Sequence, residues 1–303
     1  MHRVVRVRPV TRPDGARFDT VSFLSDYGTT DEFAGVVKAV IRDLAPHATV
    51  IDLTHEIPPH DIRAGSLALA RCIQYVPAGV VLAVVDPGVG TARRAIAVEV
   101  AGGAGVIVAP DNGLIAPAVA MTGGAGRAIS LTNTDYHLSA PGATFAGRDL
   151  FAPVAAHLCN GVEWDSLGDA VEPAELVPGV IPVPRSEPDG LVAEVLWVDR
   201  FGNAQLNVGP DDLAGWGDVT RLSWGGEVRT AHRVTTYDEI GAGAIGLVLD
   251  SYGLLAVALM RRSAAGELGL GPGDEVTLSA PSEGREVGIT VPVALRGPGR
   301  PPG

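Results

Sequence analysis

The segment spanning residues 20 to 54, TVSFLSDYGTTDEFAGVVKAVIRDLAPHATVIDLT, decides the fold. Thr20 to Leu24 reads as a buried strand. After a polar turn, the apolar residues Phe33, Val36, Val37, Val40, Ile41 and Leu44 recur at three- and four-residue intervals and mark one face of a helix. Thr29 followed by Glu32 predicts a capping box at the helix start, and Pro46 predicts its end. A second strand follows at Thr49 to Leu53. Strand, helix, strand is the repeating unit of a parallel sheet covered by helices.

The same alternation continues outward, with strands predicted at Val80 to Val85, Ala95 to Val100 and Val106 to Ala109, and a helix at Ile62 to Val76. These make residues 19–172 an N-terminal Rossmann-like α/β domain. Residues 173–190 carry Pro173, Pro178, Pro182, Pro184 and Pro188, a density that neither a helix nor a central strand tolerates, so this stretch reads as a linker. Beyond it, residues 191–297 hold short apolar runs separated by Gly or Asp turns: Val192 to Val198, Ile245 to Leu249, Leu254 to Leu259, Val276 to Leu278 and Val287 to Val293. A small all-β barrel or sandwich is expected there. Residues 1–18 are expected to form a flexible Arg-rich extension and residues 298–303 a disordered tail.

Composition narrows the function classes. The chain has 303 residues, 46% hydrophobic and 19% charged, which excludes disorder. Net charge is -12, and Lys38 is the single lysine among 23 basic residues. Broad nucleic-acid binding does not fit such a balance, whereas a cationic or neutral ligand does. Cys72 and Cys159 lack the close spacing of metal or redox motifs and read as buried core thiols. The Arg-rich start has no apolar core after it and is not a signal peptide. The most apolar stretch, Gly241 to Met260, has Asp250 and Ser251 at its middle, which suits a strand and turn better than a lipid span. A cytoplasmic location follows, with no membrane partner.

Open α/β sheets bind ligands outside the carboxyl ends of their strands. Here those ends are acidic: Ser25-Asp26-Tyr27-Gly28, Thr54-His55-Glu56, Asp86-Pro87-Gly88-Val89-Gly90 and Pro110-Asp111-Asn112-Gly113. Either they converge on one crevice, or each is turn chemistry, since Asp bonds its own backbone two residues on. Neither a Walker A sequence nor a G-x-G-x-x-G opening a helix is present, so a nucleotide phosphate is not the evident ligand. His55 and His60 are five apart with Pro58 and Pro59 between them, which forbids the helical zinc motif. A Mg²⁺ site built from Asp26, Asp31, Asp86 and Asp111, as in a phosphohydrolase, is compatible with the spacing. Downstream, Thr144-Phe145-Ala146-Gly147-Arg148-Asp149 precedes a helix running to about Cys159, and Gly147 permits close backbone approach to a ligand. Arg148 and Asp149 read equally as a structural ion pair. Asp199-Arg200-Phe201-Gly202-Asn203 joins a carboxylate, an aromatic face and an amide, the set that reads a purine, or else a turn with one core Phe.

In this order, SDYGTTDEFAGVVKAVI, IDLTHEIPPHDI, VVDPGVG with Arg93, APDNGLI, TFAGRDLFAPVAAHL, DRFGN and Asp250-Ser251-Tyr252-Gly253 resemble the S-adenosyl-L-methionine (SAM) hydroxide adenosyltransferases, the adenosine-forming SAM hydrolases related to fluorinase and chlorinase. The resemblance covers roughly residues 19 to 280. It implies an α/β domain followed by a β-barrel, and a homotrimer whose active sites lie between one subunit's first domain and a neighbour's second. Asp26 would hold the ribose hydroxyls, and Asp31 and Ser251 the methionine moiety. Asp199 and Asn203 would bind substrate from the barrel side, with Phe201 near the adenine. His60 stands where fluorinase-like relatives place an aromatic residue beside the ribose, and Thr144 and Phe145 would line the nucleophile pocket. Asp86, oriented by Arg93, would position the attacking water.

One departure is Ala146, where the hydrolases usually have His and the halogenases usually have Tyr. Another is Asp250, where the family more often has Asn. The implied reaction converts SAM and water into adenosine and L-methionine, with SAM as substrate and no cofactor. A SAM- or adenosine-binding protein with little catalysis and a SAM-dependent halogenase are the alternatives.

Overall fold

The computed structural model describes residues 15–281 and divides into two compact units at Pro182/Val183. The expectations for the Arg-rich start up to residue 14, the Val287 to Val293 strand and the tail 298–303 lie outside the described residues.

In the first unit, strands β1 (Thr20–Ser25), β2 (Thr49–Thr54), β3 (Val80–Val84), β4 (Ala95–Val100), β5 (Gly105–Pro110), β6 (Ala125–Ser130) and β7 (Asp169–Val171) form one sheet, ordered β2-β1-β3-β5-β4-β6-β7. The first four in that order are parallel. The α/β sheet expected from the sequence is present, its parallel part extended by β4, β6 and β7, which join antiparallel. The physical reason is chain length: β4 connects to β5 through the short turn Ala101–Gly103, and a parallel pair needs a crossover of a dozen residues or more.

Helices α1 (Phe33–Leu44) and α4 (Ala152–Cys159) cover one face, while α2 (Ile62–Cys72) and α3 (Ala116–Met121) cover the other. Strand residues alternate between the two cores. Val80, Leu82 and Val84 pack with Val37, Ile41 and Val154, and Val81, Ala83 and Val85 pack with Leu69, Leu114 and Ala118. Cys159 is fully buried, and burial pushes its thiol up to about 12, whereas Cys72 is only half-buried. The predicted capping box does not form. Glu32 is the N-cap of α1 without a side-chain bond, because Thr29 donates instead to Glu56 Oε1 at 2.9 Å.

The second unit contains β8 (Arg185–Glu187), β9 (Gly190–Val198), β10 (Ala204–Leu206), β11 (Val219–Trp224), β12 (Glu227–Val234), β13 (Ile245–Leu249), β14 (Leu255–Ala258), the short α5 (Ala264–Leu268) and β15 (Glu275–Ser279). Pairing of β9 with β10 closes seven strands into a barrel around Val195, Leu206, Leu222, Leu247, Val257 and Leu278. Strand β8 pairs outside the ring with the first half of β9. No helix among the described residues is long and apolar enough to cross a membrane.

Candidate active site

Strand order reverses between β1 and β3, since the chain leaves β1 for β2 on one side and returns to β3 on the other. Such a switch point opens a crevice at the carboxyl ends of the strands. Asp26 follows β1 and Asp86 lies two residues beyond β3, so the topology sets one carboxylate on each side of the crevice. A cavity of about 370 Å³ fills it, lined by Asp26, Tyr27, Asp31, Phe33, Pro59, His60, Asp86, Val89, Thr144, Phe145, Ala146 and Gly147. All the residues predicted from the first unit except Arg93 line this cavity.

Arg93 stands behind Asp86. Its Nε donates to Asp86 Oδ1 at 2.7 Å, and its Nη2 pairs with Asp86 Oδ2. The side chains are 15% and 6% exposed, so this bidentate pair is largely withdrawn from water, and the guanidinium lies over the Phe151 ring. Two carboxylate oxygens held in one plane leave their remaining lone pairs pointing in fixed directions, which suits orienting a water.

Asp26 is fixed by backbone. The amide of His60 donates to Asp26 Oδ2 at 2.9 Å, and His60 adopts a left-handed φ of 68° to aim that amide. His60 therefore holds the Asp26 carboxylate through its main chain, apart from the ring contact implied by the resemblance. Across the cavity, Tyr27, Phe33 and Phe145 pack edge to face or tilted, with centroids 5.1 to 5.9 Å apart. Burial, reinforced by the Asp26 and Asp86 carboxylates, raises the Tyr27 hydroxyl well above its ordinary pKa and keeps it protonated. Gly147 begins a π-helical turn, Gly147–Phe151, before α4, and a Cβ there would collide with the Tyr27 hydroxyl. Arg148 and Asp149 form an ion pair with each other, the Nη2–Oδ2 bond being 2.9 Å, so the structural reading of this pair holds.

Not every acidic strand end reaches the crevice. Asp111 accepts from Arg94 Nε at 2.9 Å and from the Val177 amide at 2.8 Å, buried as a tie between loops. The four-carboxylate Mg²⁺ arrangement is not assembled, and no cluster of three or more His, Cys, Asp or Glu suited to a metal occurs among the described residues. Glu56 is occupied by Thr29.

In the barrel, Asp199 to Asn203 is a tight loop between β9 and β10. Asp199 Oδ1 accepts from the Phe201 and Asn203 amides, and Oδ2 from Asn203 Nδ2 at 2.8 Å. A Cβ on Gly202, whose φ is 85°, would strike Ser263. The Phe201 ring is left 78% exposed, which contradicts its reading as a turn with one core Phe. Two cavities adjoin the loop. One, of about 600 Å³, includes Asp199, Asn203, Gln205, Tyr237, Ser251 and Tyr252; the other, of about 590 Å³, includes Phe201, Arg261 and Arg262. Asp250 accepts from the Tyr252 and Leu254 amides and pairs with Gln205, holding the Ser251 turn. Gln205, Tyr237, Tyr252, Arg261 and Arg262 were not among the predicted site residues. Gln205 lies on β10 and the others in the turns after β12, β13 and β14, and only barrel closure gathers them.

An α/β sheet with a desolvated carboxylate–guanidinium pair at its switch point, followed by a closed barrel with an aromatic and amide-bearing mouth, defines a two-domain protein built to hold a small polar ligand. The SAM hydroxide adenosyltransferase N-terminal domain matches residues 21–168, and the corresponding C-terminal domain matches residues 193–277. The chain belongs to the SAM hydroxide adenosyltransferase family. It is 46% identical to an (R)-S-adenosyl-L-methionine hydrolase of Salinispora tropica, over 86% of this chain and 97% of that one. A Thermus thermophilus protein of the same name is 43% identical over 85% and 98% of the two chains. A solved structure of an uncharacterized conserved protein from Thermotoga maritima matches with a TM-score of 0.78 at 33% identity, covering 85% of this chain and 99% of that chain.

Proposed function

We propose that the protein hydrolyses SAM at C5′ to adenosine and L-methionine, with Asp86 and Arg93 positioning the water. The observation that carries this reading is the buried Asp86–Arg93 pair in the wall of a cavity that also presents Asp26, Asp31 and three aromatic rings. Carboxylates and ring faces together suit a sulfonium cation beside a ribose. A water lone pair forms the O–C5′ bond while the C5′–S electron pair leaves to sulfur, giving a neutral thioether that requires no protonation. The water proton passes to Asp86 or to solvent. Arg93 weakens Asp86 as a base, so the pair contributes chiefly by orientation.

Asp26 would bind the ribose hydroxyls, with His60 holding it, and Asp31 the methionine amine. Thr144, Phe145 and Gly147 would bound the water's approach. Asp199, Phe201, Asn203 and Ser251, supplied by a neighbouring copy in a homotrimer, would bind adenine and methionine. The reaction needs no further cofactor, and free Cys72 and Cys159 accord with a reducing cytoplasm.

Incubation with SAM followed by chromatography tests this reading, with adenosine and methionine as the expected products. Absence of adenosine from both the native chain and Ala146→His overturns it. The small Ala146 in the cavity wall favours a second reading, a SAM- or adenosine-binding protein with little turnover. Tight adenosine binding in calorimetry, with turnover appearing only in Ala146→His, would establish that one. Chlorinated adenosine at high chloride would instead mark a halogenase.

A further inference from the structure

The turn that carries Asp26 is gripped from behind by side chains outside the cavity. Ser25 has zero exposure; its Oγ accepts from the Tyr27 amide at 3.3 Å and meets His55 Nδ1 at 2.8 Å. His55, 5% exposed, follows β2 and packs edge-on against Phe23. Its carbonyl accepts from the Gly28 amide at 2.7 Å, so one residue holds the turn by both ring and backbone. On the far side, His55 Nε2 lies 3.1 Å from Asp52 Oδ1, an off-axis electrostatic approach. Asp52 Oδ2 then accepts from Lys38 Nζ at 2.9 Å.

Serine, histidine and carboxylate in a row resemble a hydrolase triad, yet Ser25 is sealed from any substrate and cannot act as a nucleophile. The hydrogen-bond inventory assigns another task. With Nε2–H turned to the Asp52 carboxylate, Nδ1 is the acceptor, so the Ser25 hydroxyl donates to it and keeps a lone pair for the Tyr27 amide. The Ser25 hydroxyl and the Tyr27 and Gly28 amides then all have acceptors, and His55 Nε2 faces Asp52 electrostatically without a hydrogen bond. We infer that Lys38, Asp52, His55 and Ser25 form a positioning relay that fixes the Asp26 turn in its ligand-holding geometry. This rests on the proposed role of Asp26 toward a nucleoside.

The full chain carrying Ser25→Ala tests it against Ser22→Ala, which removes an equally buried hydroxyl of β1 that has no hydrogen-bond partner. Removing the partner of a buried group weakens what it orders by about tenfold. Ser25→Ala is therefore expected to raise the adenosine dissociation constant about tenfold, to raise KM for SAM with kcat nearly unchanged, and to speed hydrogen exchange across residues 26–28. Ser22→Ala is expected to do none of these. Equal behaviour of the two variants overturns the relay. If Ser25→Ala does not fold, Asp52→Asn at the exposed end decides the matter: a rise of about threefold in the adenosine constant supports the relay, and an unchanged constant overturns it. Failure of the native chain to bind adenosine would instead remove the nucleoside reading, while the exchange comparison still decides whether the relay orders the turn.

Discussion

In the first unit the Asp86 carboxylate is 6% exposed and held at both oxygens by Arg93; in the barrel the Phe201 ring, two residues from the equally well-held Asp199, stands 78% exposed. Both loops spend their carboxylate on rigidity, but they rigidify different things. The first fixes a charge in a place poor in water, where its direction matters and its interactions are little screened. The second fixes a naked aromatic face on a closed barrel, where apolar area awaits a cover. On the proposed reading the water-positioning pair lies in the first unit beside ribose and methionine contacts, while the barrel loop offers an aromatic recognition surface, so substitutions at Asp86 and at Phe201 should be separable in kind.

The sharpest break would come from Asp86→Asn. It preserves shape but removes the charge proposed to orient water and strands Arg93, so turnover is expected to fall about 10²- to 10⁴-fold, measured as adenosine formed per enzyme, while the adenosine dissociation constant stays nearly unchanged. A large loss of adenosine affinity would show that Asp86 itself is not mainly chemical. Next, Gly147→Ala forces a methyl into the Tyr27 hydroxyl, and the fold should lose about 1–3 kcal/mol, read as a lower denaturant midpoint. Phe201→Ala should cost about 1–3 kcal/mol of adenosine binding with little change in melting temperature, because the exposed ring stabilises nothing in its own unit. A marked loss of stability would contradict the comparison.

The smallest effect concerns acid. Burial raises the Asp52 pKa, but the hydrogen bond and charge of Lys38, aided by the nearby His55 ring, outweigh it and hold the carboxyl below its ordinary 3.8. A depressed folded pKa means stability that is present above about pH 4 and lost as pH falls through the folded value. Asp52→Asn should therefore lower stability at neutral pH by no more than about 1 kcal/mol for so exposed a pair, read as a small drop in melting temperature, and the difference should vanish as pH falls through the depressed folded value.

Much of this was legible in the sequence for reasons of periodicity. The apolar spacing from Phe33 to Leu44 delimits α1 at both ends, and the run Ala95 to Val100 delimits β4, because each pattern is local. The capping box was misread because Thr29 has a better partner 27 residues away in Glu56. The antiparallel half of the sheet was hidden because an apolar run carries no direction. Strands β6 and β12 went unseen, since AGRAIS and EVRTAHRV are polar or small where they face solvent.

At the site, Asp26, Asp86 and Thr144 to Gly147 were readable from strand ends and motif. The aromatic wall was readable only in part, because Phe33 fits the helix-face pattern as well as it fits a cavity. Nothing in IDLTH announces that His55 reaches Ser25 across a strand pair, or that Asp52 links it to Lys38, because those contacts exist only once β1 and β2 lie side by side.

That ending of the relay on Lys38 has a practical side. Because the chain has a single lysine, amine-directed reagents meet one side-chain target, and it is the group that neutralises Asp52. A fluorophore or a resin attached through side-chain amines would land on the anchor of the turn proposed to hold the nucleoside, so coupling through an appended tag is the gentler route to an immobilised or labelled preparation.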